Sequence, residues 1–212
     1  MSDISLIYKQ IESKHPKLVF LSGKTSTGKT TMSNKLRTKY NCAIIELDEI
    51  IYRLDCPEGK NRFIEAYQKR DDKVITNSFV QATRQEIRSA LENHDFVIIE
   101  GAIVNVETLN EIISDWRRSF LFIYLDIKNI DIYAQRLTNR FEMSSPDDGN
   151  GLPGLFWEKF SPEILKTYYE NRELTSFVRT AIRAYAVDSA KASKARLDRF
   201  SSHFDNILKI KV

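Results

Sequence analysis

Residues 23–30 read Gly-Lys-Thr-Ser-Thr-Gly-Lys-Thr and match the phosphate-binding pattern G-x-x-x-x-G-K-[ST]. Two glycines in such a loop permit backbone turns that aim N–H groups at phosphate oxygens. The lysine of the pattern reaches the β- and γ-phosphates of a nucleotide, and the final hydroxyl binds Mg²⁺. The pattern therefore predicts a site for a nucleotide and Mg²⁺ formed by Gly23, Lys24, Thr25, Ser26, Thr27, Gly28, Lys29, Thr30 and Thr31.

Short apolar runs that alternate with helical patterns predict the scaffold around this loop. The predicted strands are 18–21, 43–47, 96–99, 120–125 and 207–212. Helices are predicted over 30–40, 48–54, 62–70, 73–92, 106–116, 130–142 and 162–200, the last zone as two helices. The first four strands are apolar on both faces, which is typical of a covered parallel sheet, and the fifth alternates like an edge strand. We expect a three-layer α/β fold with a five-stranded, mostly parallel sheet.

Two carboxylates follow predicted strands, at the sheet edge where this class of fold binds ligands. Asp48 follows the second strand and is the candidate general base, which also has the chemistry to bind Mg²⁺ through water. A helix N-cap is its alternative role, and the neighbouring Glu49 is a weaker candidate for the base. Glu100 follows the third strand and is a candidate ligand for Mg²⁺ waters or for an acceptor hydroxyl, with a salt bridge as the alternative. Gly101 would leave room for a substrate.

Two arginines on the predicted helix 130–142 could stabilise a phosphoryl group. Arg136 and Arg140 are four residues apart and therefore share a helix face. Guanidinium groups there suit the negative charge on a transferring phosphoryl group, although a solvated basic face is the alternative. A polar segment rich in glycine and proline, 144–154, comes next. It is either a solvated linker or a lid, and we expect a lid around residues 136–160 within a single domain, 1–212.

Composition limits the class of protein. The chain has 212 residues, of which 42% are hydrophobic and 29% charged, as in a globular protein. A formal net charge of +3 is too small to indicate nucleic-acid binding. Cys42 and Cys56 lack metal-ligand spacing, and neither a membrane-length apolar run nor a signal-peptide pattern is present. We expect a cytoplasmic protein with no membrane partner, and a secreted effector with an unconventional signal stays open.

The order of these motifs resembles the P-loop kinases of small molecules, and most of all the uridine kinase and pantothenate kinase branch. The resemblance covers residues 17–142. It rests on the loop 23–30, on Asp48 with Tyr52 nearby, on the run 96–104 with its Glu-Gly pair at 100–101, and on two arginines after Tyr-Leu-Asp126. It implies a P-loop NTPase fold with a helical lid, and a phosphotransferase that uses ATP and Mg²⁺.

The resemblance also implies roles for single residues. Lys29 would neutralise phosphate charge, Thr30 would hold Mg²⁺, and Asp48 would serve as the base. Arg136 and Arg140 would act as lid arginines. The acceptor would lie against Asp48, Tyr52, Glu100 and Gly101.

The acceptor itself stays open at this point. A nucleoside or nucleotide is the first expectation, but shikimate, gluconate, chloramphenicol and zeta-toxin kinases also place an acidic residue after the second strand. A toxin- or antibiotic-type kinase, an RNA-end kinase and a non-catalytic nucleotide-binding protein are therefore alternatives. A GTPase would need an Asn/Thr-Lys-x-Asp element after a strand, and the sequence has none.

Overall fold

The computed structural model describes residues 3–55, 72–101, 105–143 and 176–212, without the side chains of 3, 51, 52, 54, 55 and 72–78. Its strands are β1 (Leu18–Gly23), β2 (Cys42–Glu46), β3 (Phe96–Glu100), β4 (Phe120–Asp126) and β5 (Ile207–Lys211). Its described helices are α1 (Asp3–Lys14), α2 (Lys29–Lys39), α3 (Leu47–Asp55), α4 (Asp72–Leu91), α5 (Val106–Ile112), a 3₁₀ helix (Ser114–Ser119), α6 (Ile130–Met143) and α7 (Ser176–Ser201).

The strands form one sheet in the order β2-β3-β1-β4-β5, and every pairing is parallel. The predicted fold class is therefore confirmed, and β5 is an edge strand as expected. Because all five strands run the same way, their carboxyl ends meet at one edge of the sheet. The loop after β1 thus lies between Glu100, which ends β3, and Asp126, which ends β4.

Alternation along β1 divides the core between the two faces of the sheet. Val19 and Leu21 point to one face, where they pack with Ile7 and Ile11 of α1 and with Leu36 of α2. All five side chains are buried. This face therefore has α1 and α2 as its covering layer.

The opposite face carries the larger core and the helices that flank the site. Phe20 of β1 and Phe122 of β4 pack there with Leu47 and Ile50 of α3. Phe200 of α7 joins them, with its ring centroid 5.0 Å from that of Phe122. Consequently α3 and α7 cover the same face and reach the loop from the same side of the sheet.

A third apolar cluster joins α6 to α7 beside the sheet. Tyr133, Leu137 and Phe141 recur at four-residue spacing on α6 and are buried. They pack against Val178 and Ile182 of α7. This packing fixes α6, the helix that carries the two predicted lid arginines.

Some predicted elements differ from the structure. Helix α1 was not predicted, although Ile7 and Ile11 show the four-residue spacing of its buried face. The helix predicted over 106–116 ends at Ile112. The 3₁₀ helix Ser114–Ser119 follows it and leads directly into β4. The predicted helix 62–70, the part of the predicted lid from 144 to 160 and the first part of the predicted helical zone, 162–175, lie outside the described residues. In the ranges that are described, no helix is long and apolar enough to span a bilayer.

Candidate active site

The loop after β1 has the backbone of a phosphate nest. Ser26 and Gly28 both have positive φ, 62° and 95°, and Gly28 is the left-handed residue that begins α2. The side chain and the backbone N–H of Thr27 both donate to the Lys24 carbonyl, at 2.7 and 3.2 Å. This tight turn leaves the amino end of α2 pointing at the loop, where it favours an anion.

Lys29 lies across this loop. Its Nζ donates to the carbonyls of Gly23 and Lys24, both at 3.2 Å. Burial lowers the pKa of Lys29, the charges of Asp48 and Glu100 act in the opposite direction, and two arginines lower the pKa further. The ammonium is therefore held by neutral carbonyl oxygens at the mouth of the loop, where a phosphate would be a stronger partner.

The predicted magnesium residue Thr30 is joined to the predicted carboxylate Glu100. The Thr30 hydroxyl donates to Glu100 Oε1 at 3.1 Å, and the Ser33 hydroxyl donates to Glu100 Oε2 at 2.9 Å. Glu100 is 4% exposed, so these bonds satisfy a carboxylate that water barely reaches. The salt bridge considered as an alternative for Glu100 is thus replaced by two hydroxyl contacts.

Asp48 lies in the first turn of α3 and is partly buried. Burial raises the pKa of Asp48, and the charge of Glu100 raises it further. The charges of Lys29 and of an arginine of α7 act in the opposite direction. Because α3 begins at Leu47, Asp48 does not occupy the N-cap position that was its alternative role. Glu49, the next residue, is exposed.

Unsatisfied oxygens concentrate around the loop. Among the described side chains, three buried polar atoms lack a hydrogen-bond partner: Ser22 Oγ, Ser26 Oγ and Asp48 Oδ1. Ser22 immediately precedes the loop, Ser26 belongs to it, and Asp48 interacts with the charge of its lysine. Buried polar groups in folded proteins are almost always paired, so these unpaired oxygens are available to a ligand or to water beside the loop.

Helix α6 is attached to the loop through Tyr133, whose hydroxyl donates to the Thr25 carbonyl at 2.9 Å. Burial raises the pKa of Tyr133 far above its usual range, so it stays a neutral donor. One face of α6 thereby reaches the site. Arg136 and Arg140 are both exposed on this helix, and Arg140 is the one whose charge acts on Lys29.

The remaining predicted residues have different surroundings. A Cβ on Gly101 would lie 3.0 Å from Leu47 Cβ, so the absence of a side chain here lets α3 pack against the end of β3. A substrate contact at Gly101 stays a prediction. Tyr52 lies on α3, but its side chain is outside the described residues. Thr31 is exposed on the first turn of α2.

The sequence interpretation missed three residues of the site: Ser33, Tyr133 and Arg196 of α7, whose charge acts on Lys24, Lys29 and Asp48. Ser33 follows Thr30 by three residues on a helix, and that spacing could have shown that the two hydroxyls share a face. Tyr133 could have been found from its seven-residue spacing to Arg140. Arg196 has no such signal, because only the fold brings α7 to the loop.

The oxygen donors here fit Mg²⁺. Magnesium takes hard oxygen ligands, keeps several waters and uses few protein groups beside the phosphates. Thr30 supplies a hydroxyl, and the carboxylate of Glu100 lies within hydrogen-bonding distance of it. No group of three or more His, Cys, Asp or Glu able to hold a metal by itself occurs in the described ranges. The residues thus suit an ion that nucleotide phosphates complete.

Comparison with known families decides the classification. The family profile described as "Zeta toxin" matches residues 5–119, which is more than half of the chain. The chain belongs to the Zeta toxin family. The match runs from α1 to the 3₁₀ helix, so it includes the loop, Asp48 and Glu100 but not Arg140 or Arg196. The closer resemblance to uridine and pantothenate kinases is not confirmed.

Solved structures similar to this Zeta toxin family member include a shikimate kinase from Bacteroides thetaiotaomicron, at 16% identity and a TM-score of 0.48, with 91% of this chain and 86% of that one covered. A gluconokinase from Sinorhizobium meliloti 1021 has 18% identity and a TM-score of 0.43, with 89% and 99% covered. The Pnkp1/Rnl/Hen1 RNA repair complex has 17% identity and a TM-score of 0.44, with 85% and 45% covered. No curated protein sequence matches the chain.

Proposed function

We propose that this protein transfers the γ-phosphoryl group of ATP to a hydroxyl group of a small molecule. The observation that carries the proposal is the group of unpaired oxygens at the loop, in which Asp48 Oδ1 lies within the field of Lys29. A partly buried carboxylate with one unpaired oxygen beside the lysine of the loop is what an acceptor hydroxyl would need, and nucleotide binding alone does not require it. A transferase uses it as a base.

Each residue then has one task in the transfer. Lys29 leaves the loop carbonyls and neutralises charge on the β- and γ-phosphates of ATP. Asp48 accepts the proton of the acceptor hydroxyl as the new oxygen–phosphorus bond forms and the bond to ADP breaks. Glu100 orients the Thr30 hydroxyl through its hydrogen bond. Bound Mg²⁺ would supply further charge neutralisation at the phosphates, with Thr30 and water molecules near Glu100 and Asp48 as its ligands.

The acceptor is either a nucleoside or nucleotide, or the substrate of a toxin-type kinase. The resemblance of the motifs to uridine and pantothenate kinases supports a nucleoside or nucleotide as the first candidate. Membership of the Zeta toxin family supports the alternative, a toxin-type kinase. A shared fold cannot separate them, because P-loop kinases place many acceptors against the same catalytic residues.

Label transfer tests the proposal. The protein is incubated with [γ-³²P]ATP and Mg²⁺ against nucleosides, nucleotides, nucleotide sugars, free sugars, pantothenate and a 5′-hydroxyl oligoribonucleotide. We expect label on one small molecule and loss of transfer in Lys29→Ala. Hydrolysis of ATP without transfer to any acceptor would contradict the proposal, and label on the oligoribonucleotide would identify an RNA-end kinase instead.

The role of Asp48 is tested by a matched pair of variants. Asp48→Asn removes the base and is expected to lower kcat by roughly 10²–10⁴. Glu49→Gln changes the adjacent, exposed carboxylate and is expected to leave kcat within about threefold, because surface groups contribute little. Equal rates in the two variants would show that Asp48 is not the base.

Expression in bacteria separates the two acceptor classes. A toxin-type kinase should arrest growth when wild-type protein is induced, and Lys29→Ala should remove the arrest at equal protein level. Normal growth with active protein, together with label on a nucleoside or nucleotide in vitro, would favour the first candidate.

A further inference from the structure

The two edges of the sheet carry different residues. Strand β5 forms one edge, where the exposed side chains of Lys209 and Lys211 place charges along the strand. Strand β2 forms the other edge and reads Cys-Ala-Ile-Ile-Glu, with its single charge, Glu46, at the end. Lysine and proline commonly keep an edge strand from pairing with another chain, and β2 has neither. The edge formed by β2 is therefore the one open to a further strand.

The outer side of β2 is also accessible. Within the part of the chain that the structure describes, β2 pairs with β3 and with no other strand. A cleft of about 430 Å³ opens beside residues 43–45, and its wall on α4 includes the small side chains of Ala82, Ser89 and Ala90. An added strand would find unpaired backbone groups here, together with room for its side chains.

Alternation along β2 determines which of its backbone groups face outward. The carbonyl of Asn41, just before β2, accepts a hydrogen bond from the N–H of Asp95, just before β3. Alternate residues of a parallel pair face the neighbouring strand, so residues 43 and 45 also turn their backbone groups toward β3. The groups that face outward are the N–H and C=O of Cys42, Ile44 and Glu46.

These outward groups are complementary to themselves about Ile44. When a second β2 lies antiparallel, with its Ile44 opposite the first, Cys42 of each copy stands opposite Glu46 of the other. All three positions then become hydrogen-bonded pairs, each of which exchanges two N–H···O bonds. The spacing of the outward groups therefore fits a second copy of the same strand.

The charges beside this edge change sign from one end of β2 to the other. Arg37 and Lys39 lie in the last turn of α2, at the amino end of β2, and both are exposed. Glu46 and Glu49 are exposed at the carboxyl end. In an antiparallel pair, the basic end of each copy meets the acidic end of the other, whereas a parallel strand of the same sequence would bring like charges together.

We propose that two copies of this chain associate through β2, antiparallel about Ile44, so that their sheets join into one. Such a contact uses the same surface of both copies and closes at a dimer, because the lysines of β5 protect the remaining edges. Strand β2 leads directly into α3, so each copy would also hold in place the strand that precedes Asp48 of the other. The pairing needs no nucleotide and does not depend on the proposed function.

Sedimentation equilibrium of the full chain, without nucleotide, measures this association. We expect the mass to rise with concentration to twice the 24.7 kDa of one chain. Arg37→Glu and Glu46→Lys should each raise the Kd of the dimer by about tenfold, because each places like charges opposite one another on both sides of the two-fold axis. Combining the two changes restores opposite charges and should return the Kd to within about threefold of wild type. Lys211→Glu, a charge reversal on the other edge, should leave the Kd unchanged.

Ile44→Pro tests the backbone pairing separately from the charges. Proline is tolerated on an edge strand where the N–H faces outward, and here it removes the central donor of the contact. We expect a monomer whose circular dichroism matches that of wild type. If this variant does not fold, the charge reversals decide the outcome.

Three results would overturn the proposal. The first is a wild-type protein that stays monomeric at every concentration, including one that binds an added extended peptide along β2 instead of a second copy. The second is a dimer whose Kd none of the β2-edge variants changes, since the contact would then lie elsewhere. The third is a loss in both single charge reversals without recovery in the combined variant, which would exclude the antiparallel arrangement.

Discussion

The two glycines of the phosphate loop should fail in different ways when each is replaced by alanine. A Cβ on Gly23 would lie 2.7 Å from Thr27 Oγ1, 2.9 Å from the Leu125 carbonyl oxygen and 3.1 Å from Leu125 Cβ. Leu125 is the β4 residue paired with Gly23 in the sheet. A methyl group there must therefore move either the loop or the central pair of strands.

The magnitudes follow from these contacts. Overpacking in a core costs about 1–3 kcal/mol, and a positive φ in a non-glycine residue costs about 1 kcal/mol more. We expect Gly23→Ala to lower the free energy of unfolding by about 3 kcal/mol. At Gly28 a Cβ meets nothing within 4 Å, so only the strain at φ +95° remains. Gly28→Ala should cost about 1 kcal/mol.

Urea unfolding without nucleotide measures both values and gives the m-value as a check that the unfolded states are alike. The same unfolding measurement with Mg·ADP present shows how much nucleotide binding stabilises each variant. At 100 times its Kd, a ligand stabilises wild type by about 2.7 kcal/mol. Gly28→Ala should lose about 1.4 kcal/mol of this, a tenfold weaker Kd, because its methyl group enters open space that the phosphates would use. The reasoning is refuted if Gly28→Ala unfolds as easily as Gly23→Ala, or if it keeps full stabilisation by Mg·ADP.

Two further predictions concern groups around the loop. Because burial raises the pKa of Asp48 and a base must be deprotonated, kcat/KM should fall on the acid side at a pH above the usual range of aspartate; a kcat/KM–pH profile of the wild type without such a limb would contradict the base assignment. Tyr133→Phe removes the hydrogen bond to the Thr25 carbonyl, worth about 1 kcal/mol, so KM for ATP should rise about fivefold while kcat changes little. Steady-state kinetics with Tyr8→Phe on α1 as the comparison would test it, and an unchanged KM would show that α6 does not order the loop.

Much of the fold was predictable because its signals are local. Each of the first four strands contains an apolar run of four to six residues, and the fifth alternates between apolar and polar residues. All five were found within about two residues of their observed ends. Helix α1 was missed, since its buried face depends on two isoleucines whose partners lie in the sheet. The strand order and the uniform parallel direction followed only from the tertiary structure.

The residues of the candidate site also divide into those that the sequence predicts and those that only the fold brings together. The loop, Asp48 and Glu100 stand directly after predicted strands, so the sequence alone predicted that they share one edge of a mostly parallel sheet. It could not show that Ser33 satisfies Glu100 across 67 residues, or that Tyr133 reaches Thr25 across 108. The sequence did not indicate Arg196, because the spacing of residues in the chain does not show which side chain of a long helix faces the loop. Packing of α7 on β4 decided that, through an aromatic core that only the complete sheet assembles.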